Sequence, residues 1–239
     1  MDLRVFDTPQ ALAQAAAGLV AARAREAVAA AGRFSLVLSG GSSPLPLYRL
    51  LGADPDFPWP ACHLFWGDER CVPAEHPESN RGAALKALGP PPGLPSDNLH
   101  PIRGQLAPQE AAQDYQWRLR GFFVGQDWPA WDLVLLGLGP DGHTASLFPG
   151  SPVLAEARAW AAAVPAPTHI GPYLPRVTLT LPAINSARCV LFLAPGQAKR
   201  PVLQRILDDP QAAAQDYPAA RVRAGGETMW LVDRAAAPD

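Results

Sequence analysis

The sequence predicts an open three-layer α/β/α fold around a mostly parallel sheet, organised as a single domain over residues 1–239. Three observations carry that expectation. Short apolar runs alternate with helix-patterned stretches along the chain. The runs are continuous rather than alternating, as in strands covered on both faces. Several of them end in glycine-rich polar segments, where an α/β sheet collects its ligands.

The elements follow in order. Thr8 is a capping residue and Pro9 suits the first helical position, so a long Ala-rich helix starts there and closes at Gly32. Phe34–Leu38 reads as a strand, followed by the loop Ser39-Gly40-Gly41-Ser42-Ser43 and a helix from Pro44 to about Leu51. His63–Trp66 is a second strand, followed by a loop at Gly67-Asp68-Glu69-Arg70. Ser79 or Asn80 caps a helix to about Leu88, and the Pro/Gly-rich segment 89–98 is a loop. Residues 108–124 read as a helix burying Leu119, Phe122 and Phe123. Trp131–Leu136 is the clearest buried strand and runs into Gly137-Leu138-Gly139-Pro140-Asp141-Gly142-His143. Further strands are expected at 159–164, 176–181, 188–193 and 228–232, with a helix at about 197–208.

Composition narrows the function classes. The 239 residues are 48% hydrophobic and 18% charged with a net charge of −2, so neither a nucleic-acid partner nor a membrane surface is expected. The Ala-rich stretch 11–31 is interrupted by Gln14, Arg23, Arg25 and Glu26, so no leader or membrane span is expected there. Cys62, Cys71 and Cys189 form no Cys-x-x-Cys pair, which fits a reducing, cytoplasmic setting without a metal or disulfide framework. The chain has 18 Arg but only Lys86 and Lys199, a bias that makes each lysine more noteworthy.

The loops carry the chemistry. At the first, Gly40 and Gly41 let the backbone approach an anion beside a helix N-terminus, with hydroxyls from Ser42 and Ser43. The loop is neither a nucleophile elbow, because Pro44 replaces the last glycine of G-x-S-x-G, nor a P-loop, because no Gly-Lys-Ser/Thr follows. At the second, Arg70 beside Asp68 and Glu69 suits an oxyanion or phosphate. Residues 137–142 match G-x-G-x-x-G, but no acidic residue ends a second strand about 20 residues on. Asp141 would also repel a pyrophosphate, so no nicotinamide cofactor, and no other cofactor, is expected. His143, flanked by glycine at a strand end, suits general acid–base work. His63, His76, His100 and His169 have no comparable setting. Arg176 precedes a strand and Lys199 sits near a helix start, both suited to a phosphate. Together these describe a site for an anionic substrate with one acid–base histidine.

At these residues a resemblance becomes specific. Ser39–Ser42, the run Gly67-Asp68-Glu69-Arg70-Cys71-Val72-Pro73 with Ser79-Asn80, and the block from Gly137 to Gly150 resemble the 6-phosphogluconolactonase family. So do Arg176–Thr180 and Gly196–Lys199, in the family's order across residues 34–208. The resemblance implies an open Rossmann-like fold shared with glucosamine-6-phosphate deaminases and ribose-5-phosphate isomerases. Deaminases typically place Tyr where this chain has Arg70, and Glu where it has Phe148, so the lactonase branch fits better. A non-catalytic sugar-phosphate sensor is the rival from another class; such regulators usually carry a DNA-binding helix-turn-helix, and residues 1–33 show no basic recognition segment.

The implied substrate is a phosphorylated sugar lactone, bound by a monomer or small homo-oligomer without metal. His143 would activate water. Arg70, or backbone N–H groups near Gly139–Gly142, would receive the oxyanion. Asp141 would orient the histidine or a sugar hydroxyl, and Asp68 would fix Arg70 or contact the sugar. Gly40, Gly41, Ser42 and Lys199 would hold the phosphate, with Arg176 a further contact.

Overall fold

The structure, a computed structural model, describes residues 2–238. Among them a seven-stranded, all-parallel sheet runs in the order β1 (Asp2–Phe6), β10 (Glu227–Asp233), β9 (Cys189–Leu193), β6 (Leu133–Gly137), β2 (Phe34–Leu38), β3 (Cys62–Trp66), β5 (Leu99–His100). Strands β2 and β9 are buried along their whole length, which explains their unbroken apolar sequences. The helices α1 (Pro9–Ala31), α2 (Leu45–Gly52) and α3 (Asn80–Leu88) pack against one another beside the sheet. The remaining helices are α4 (Pro108–Phe122), α5 (Leu181–Asn185), α6 (Arg200–Asp208) and α7 (Pro210–Asp216). This is the three-layer α/β/α arrangement the sequence predicts. Among the described residues no helix is long and apolar enough to cross a membrane.

The caps of α1 form as read: the Thr8 side chain accepts from the Ala11 N–H at 3.1 Å, and Gly32 closes the helix at φ 72°. Leu119 and Phe123 are buried as expected, while Phe122 is only partly covered.

Three expectations need correction. The segment read as a loop at 67–70 contains β4 (Asp68–Arg70). The strands expected at 159–164 and 176–181 are shorter, β7 (Ala161–Val164) and β8 (Arg176–Leu179). They lie outside the parallel sheet and form a separate antiparallel one in the order β4-β8-β7. The sequence beyond Leu179 turns directly into α5, where Pro182 suits a helix start. No local pattern distinguishes these short strands from members of the main sheet, because Val177 and Leu179 are fully buried either way.

The order of strands positions the site. From β2 the chain runs through β3 to β5 at one edge, then returns to β6 and proceeds through β9 to β10 in the other direction. The reversal between β2 and β6 is the topological switch point, and a crevice forms there beyond the carboxyl ends of the strands.

Candidate active site

That crevice holds a cavity of about 220 Å³, lined by residues of the β2, β6 and α6 loops together with the small sheet. Gly40, Gly41, Ser42, Arg70, Asp68, His143, Arg176 and Lys199 all line it. Segments separated by up to 159 residues in the sequence thus meet at one end of the sheet, as the alternating pattern implies.

The loop after β2 is fixed by a residue that sequence reasoning missed. The hydroxyl of Tyr48 on α2 donates to the Ser39 carbonyl and accepts from the Ser39 N–H, both at 2.8 Å. Tyr48 is fully buried, and burial raises its pKa well above the ordinary range, so it stays neutral and able to do both. Beneath the loop Gly40 packs on Asn80 so tightly that a Cβ would lie 2.1 Å from the Asn80 Oδ1. A side chain at position 40 would push Asn80 off its bonds to Asp68.

The small sheet brings the arginines together. Arg70 and Arg176 are directly opposed in the antiparallel ladder. Arg70 is held by Glu78, whose carbonyl accepts from Nη1 at 2.7 Å and whose carboxylate lies 3.8 Å away.

 Of the two roles expected of Asp68, fixing Arg70 is not seen: it lies 4.0 Å from Arg176 Nη1 and accepts from Ser146 Oγ at 2.5 Å and Asn80 Nδ2 at 3.1 Å. Burial works against the charge of Arg176 and the nearby Asp68 supports it. Glu69, on the opposite face of β4, accepts from the backbone N–H groups of Asn80 and Arg81 at 2.7 Å each, anchoring the start of α3. Burial pushes its carboxyl pKa up, against the opposing pull of those hydrogen bonds.

The loop after β6 carries the histidine. The Gly139 N–H donates to the His143 carbonyl at 2.8 Å, and a Cβ on Gly139 would lie 2.1 Å from His143 Nδ1. No helix follows this turn; Thr144 and Leu147 pair as an isolated bridge instead. The G-x-G-x-x-G match therefore lacks the helix N-terminus that a dinucleotide pyrophosphate needs. Asp141 Oδ1 lies 2.5 Å from His143 Nδ1, which leaves Nε2 as the nitrogen without that partner. Burial alone would raise the Asp141 pKa, but the hydrogen bonds and charge of His143, with His169, hold it well below the usual carboxylate range.

Two expected contact residues do not line the cavity. The Asp141 carboxylate is taken up by its two histidines, and Gly142 packs against Tyr217, whose ring a Cβ there would strike. Asn80, read as a candidate helix cap and as part of the family motif, does line it, as do Ser39, Ser43 and Thr144. His169, read as having no special setting, bonds Asp141 at 2.8 Å. Their partners are too distant along the chain for spacing to reveal them.

The cavity combines three cationic side chains, Arg70, Arg176 and Lys199, with one carboxylate, Asp68. Burial lowers the pKa of Lys199, an effect that Asp141 opposes. Arg70 Nε, Arg176 Nε and Asn80 Oδ1 are buried without a hydrogen-bond partner. Three cationic groups beside a single carboxylate leave the cavity short of negative charge, so the arrangement favours an anionic ligand. Among the described residues, no three His, Cys, Asp or Glu side chains form a metal-ligand group.

Comparison with known proteins assigns the family. Residues 7–230 match the family model described as glucosamine-6-phosphate isomerases/6-phosphogluconolactonase. A 6-phosphogluconolactonase of Synechocystis sp. is 41% identical over 97% of this chain and 95% of its own length. That of Rattus norvegicus is 42% identical, covering 98% of this chain and 92% of its own. The crystal structure of 6-phosphogluconolactonase from Thermotoga maritima superposes with a TM-score of 0.83 at 30% identity, covering 98% of this chain and 99% of that one. The chain belongs to the glucosamine-6-phosphate isomerase/6-phosphogluconolactonase family.

Proposed function

We propose that the chain hydrolyses 6-phospho-D-glucono-1,5-lactone to 6-phospho-D-gluconate, a step of the oxidative pentose phosphate pathway. The observation that carries the reading is the Asp141–His143 pair beside a cavity lined by Arg70, Arg176 and Lys199. The relatives, full-length matches named as lactonases, support the same substrate.

A lactone is an activated ester, so water can attack it without a covalent enzyme intermediate. His143 Nε2 accepts a proton from water as the water oxygen bonds to the carbonyl carbon. Asp141, ionised and bonded to Nδ1, fixes the ring and stabilises the imidazolium that forms. Negative charge develops on the former carbonyl oxygen, and Arg70 supplies a donor for it. The tetrahedral intermediate then collapses: the bond from carbon to ring oxygen breaks, and His143 returns its proton to that oxygen. The new carboxylic acid ionises in water. No metal or organic cofactor is needed for these steps.

Gly40, Gly41, Ser42 and Lys199 hold the phosphate, with Arg176 alongside. Binding at this unreactive end positions the carbonyl near His143. The deaminase alternative is disfavoured by Phe148, which is buried with its ring centroid 4.8 Å from that of His143. An acid–base carboxylate is missing at that position.

The test follows loss of freshly generated lactone above its spontaneous hydrolysis, for wild type and His143→Ala side by side. Acceleration by wild type and a drop of about 10²-fold or more in kcat for the variant are expected. Failure of wild type to exceed background would overturn the lactonase reading.

A further inference from the structure

We propose that His169 is a positioning residue for the reaction, acting through Asp141 to set how strongly His143 holds a proton. The inference rests on the lactonase reading for its kinetic consequences, though its electrostatic core does not.

The geometry is a carboxylate shared by two imidazoles. Asp141 Oδ1 meets His143 Nδ1 at 2.5 Å and Asp141 Oδ2 meets His169 Nε2 at 2.8 Å. Each oxygen of the carboxylate is therefore committed to a different ring. Phe148 packs between them, with ring centroids 4.8 Å from His143 and 5.8 Å from His169. His143 faces the reaction cavity, whereas His169 is about half exposed and lines a second, open cavity of about 540 Å³ with Gln215, Asp216 and Tyr217. The relay thus joins the reacting histidine to solvent on the far side of the loop.

Two physical effects act in one direction. A donor on Oδ2 draws negative charge away from Oδ1, weakening the carboxylate's hold on a protonated His143. A positive charge on His169 further opposes a second positive charge on His143. The same donor fixes the angle at which Asp141 meets Nδ1, and with it the aim of Nε2 into the cavity. His169 therefore preserves the geometry of the base while limiting how readily it is trapped in its protonated form.

The surrounding charges are Lys199, Arg176 and Arg70 on the cavity side, and Asp216 and Tyr217 on the other. Asp216 is paired with Arg205 at 2.6 Å, and the Arg205 guanidinium also lies over Tyr217. Arg176 lies over the Phe148 ring at 5.3 Å. None of these bonds to Asp141 in place of His169.

The test compares wild type, His169→Ala and His169→Gln in kcat, KM and the pH profile of kcat/KM. His169→Ala is expected to lose on the order of tenfold in kcat, below the cost of losing the base itself, with little change in KM. Its acid limb is expected to move to higher pH. His169→Gln, which keeps an N–H donor, is expected to recover most of kcat. An unchanged kcat and acid limb in His169→Ala would overturn the proposal. So would equal losses in both variants with an unmoved limb, the signature of a merely structural role. Titration of the His143 ring by NMR supplies a readout independent of turnover: its midpoint is expected to rise in His169→Ala. If wild type shows no lactonase activity, the functional reading fails, and this midpoint alone decides the relay.

Discussion

Arg70 and Arg176 face each other across the β4–β8 ladder, an arrangement that places like charges where sheets normally avoid them. Their guanidiniums are held by carbonyls, Glu78 for one and Pro172 for the other, and by Asp68 near Arg176. Each retains a buried Nε without a partner. Negative charge in the cavity offsets the repulsion between the two guanidiniums. Lys199 adds a mobile point charge from the other side of the site. Lys199→Met is expected to raise KM by about tenfold or more, the loss of one charged hydrogen bond, while leaving kcat nearly unchanged. Steady-state kinetics on the lactone checks it; an unchanged KM would remove Lys199 from phosphate binding. At this scale the sequence points to Gly40 and His143 from their loop settings, and both line the cavity. It was silent where a residue serves a distant partner. Asn80 looks like an ordinary helix start, and Ser146 lies 78 positions from the Asp68 it bonds.

At the scale of elements, the strand ends are held by buried tyrosines. Tyr48 closes both backbone groups of Ser39, and Tyr115 on α4 does the same for Trp66, at 3.1 and 2.9 Å. These hydroxyls stand where β2 and β3 stop pairing and their loops begin. Tyr48→Phe leaves a buried N–H and a buried C=O without partners while preserving the ring. A stability loss of about 1–3 kcal/mol is expected from denaturant unfolding, accompanied by weaker substrate binding as the glycine loop loosens. Unaltered stability and KM would show that water replaces the hydroxyl without consequence. The long strands and α1 were readable because burial on both faces and strong caps leave plain patterns. The small sheet was not, because three- and four-residue strands carry too little pattern to reveal their pairing partners.

For the whole molecule, acid sensitivity is expected to originate at the β5 edge of the main sheet. His63 and His100, on β3 and β5, lie 3.2 Å apart within an aromatic cluster containing Phe65 and Phe122. Burial, with His63 and Arg118, pushes the His100 pKa down to about 4, from an ordinary 6.5. Between those values the unfolded chain binds a proton that the folded protein resists, so stability falls as pH drops from 6.5 toward 4 and then levels. His100→Gln keeps a polar group without titrating and is expected to flatten that decline in urea unfolding between pH 7 and 4. A slope identical to wild type would assign the acid loss elsewhere. The parallel sheet and its ligand end follow from the alternation of apolar runs, whereas this histidine pair depends on the register of β5 against β3, which no local signal specifies.

The crevice draws on residues from Ser39 to Lys199, and its members arrive in an order unrelated to their neighbours in space. Catalytic competence is therefore a late event in the life of the chain. While it emerges from the ribosome, the glycine loop and both Arg70 and Asp68 are made well before the histidine loop, and Lys199 follows later still. A nascent or truncated product ending before that lysine carries most of a binding site and no complete one.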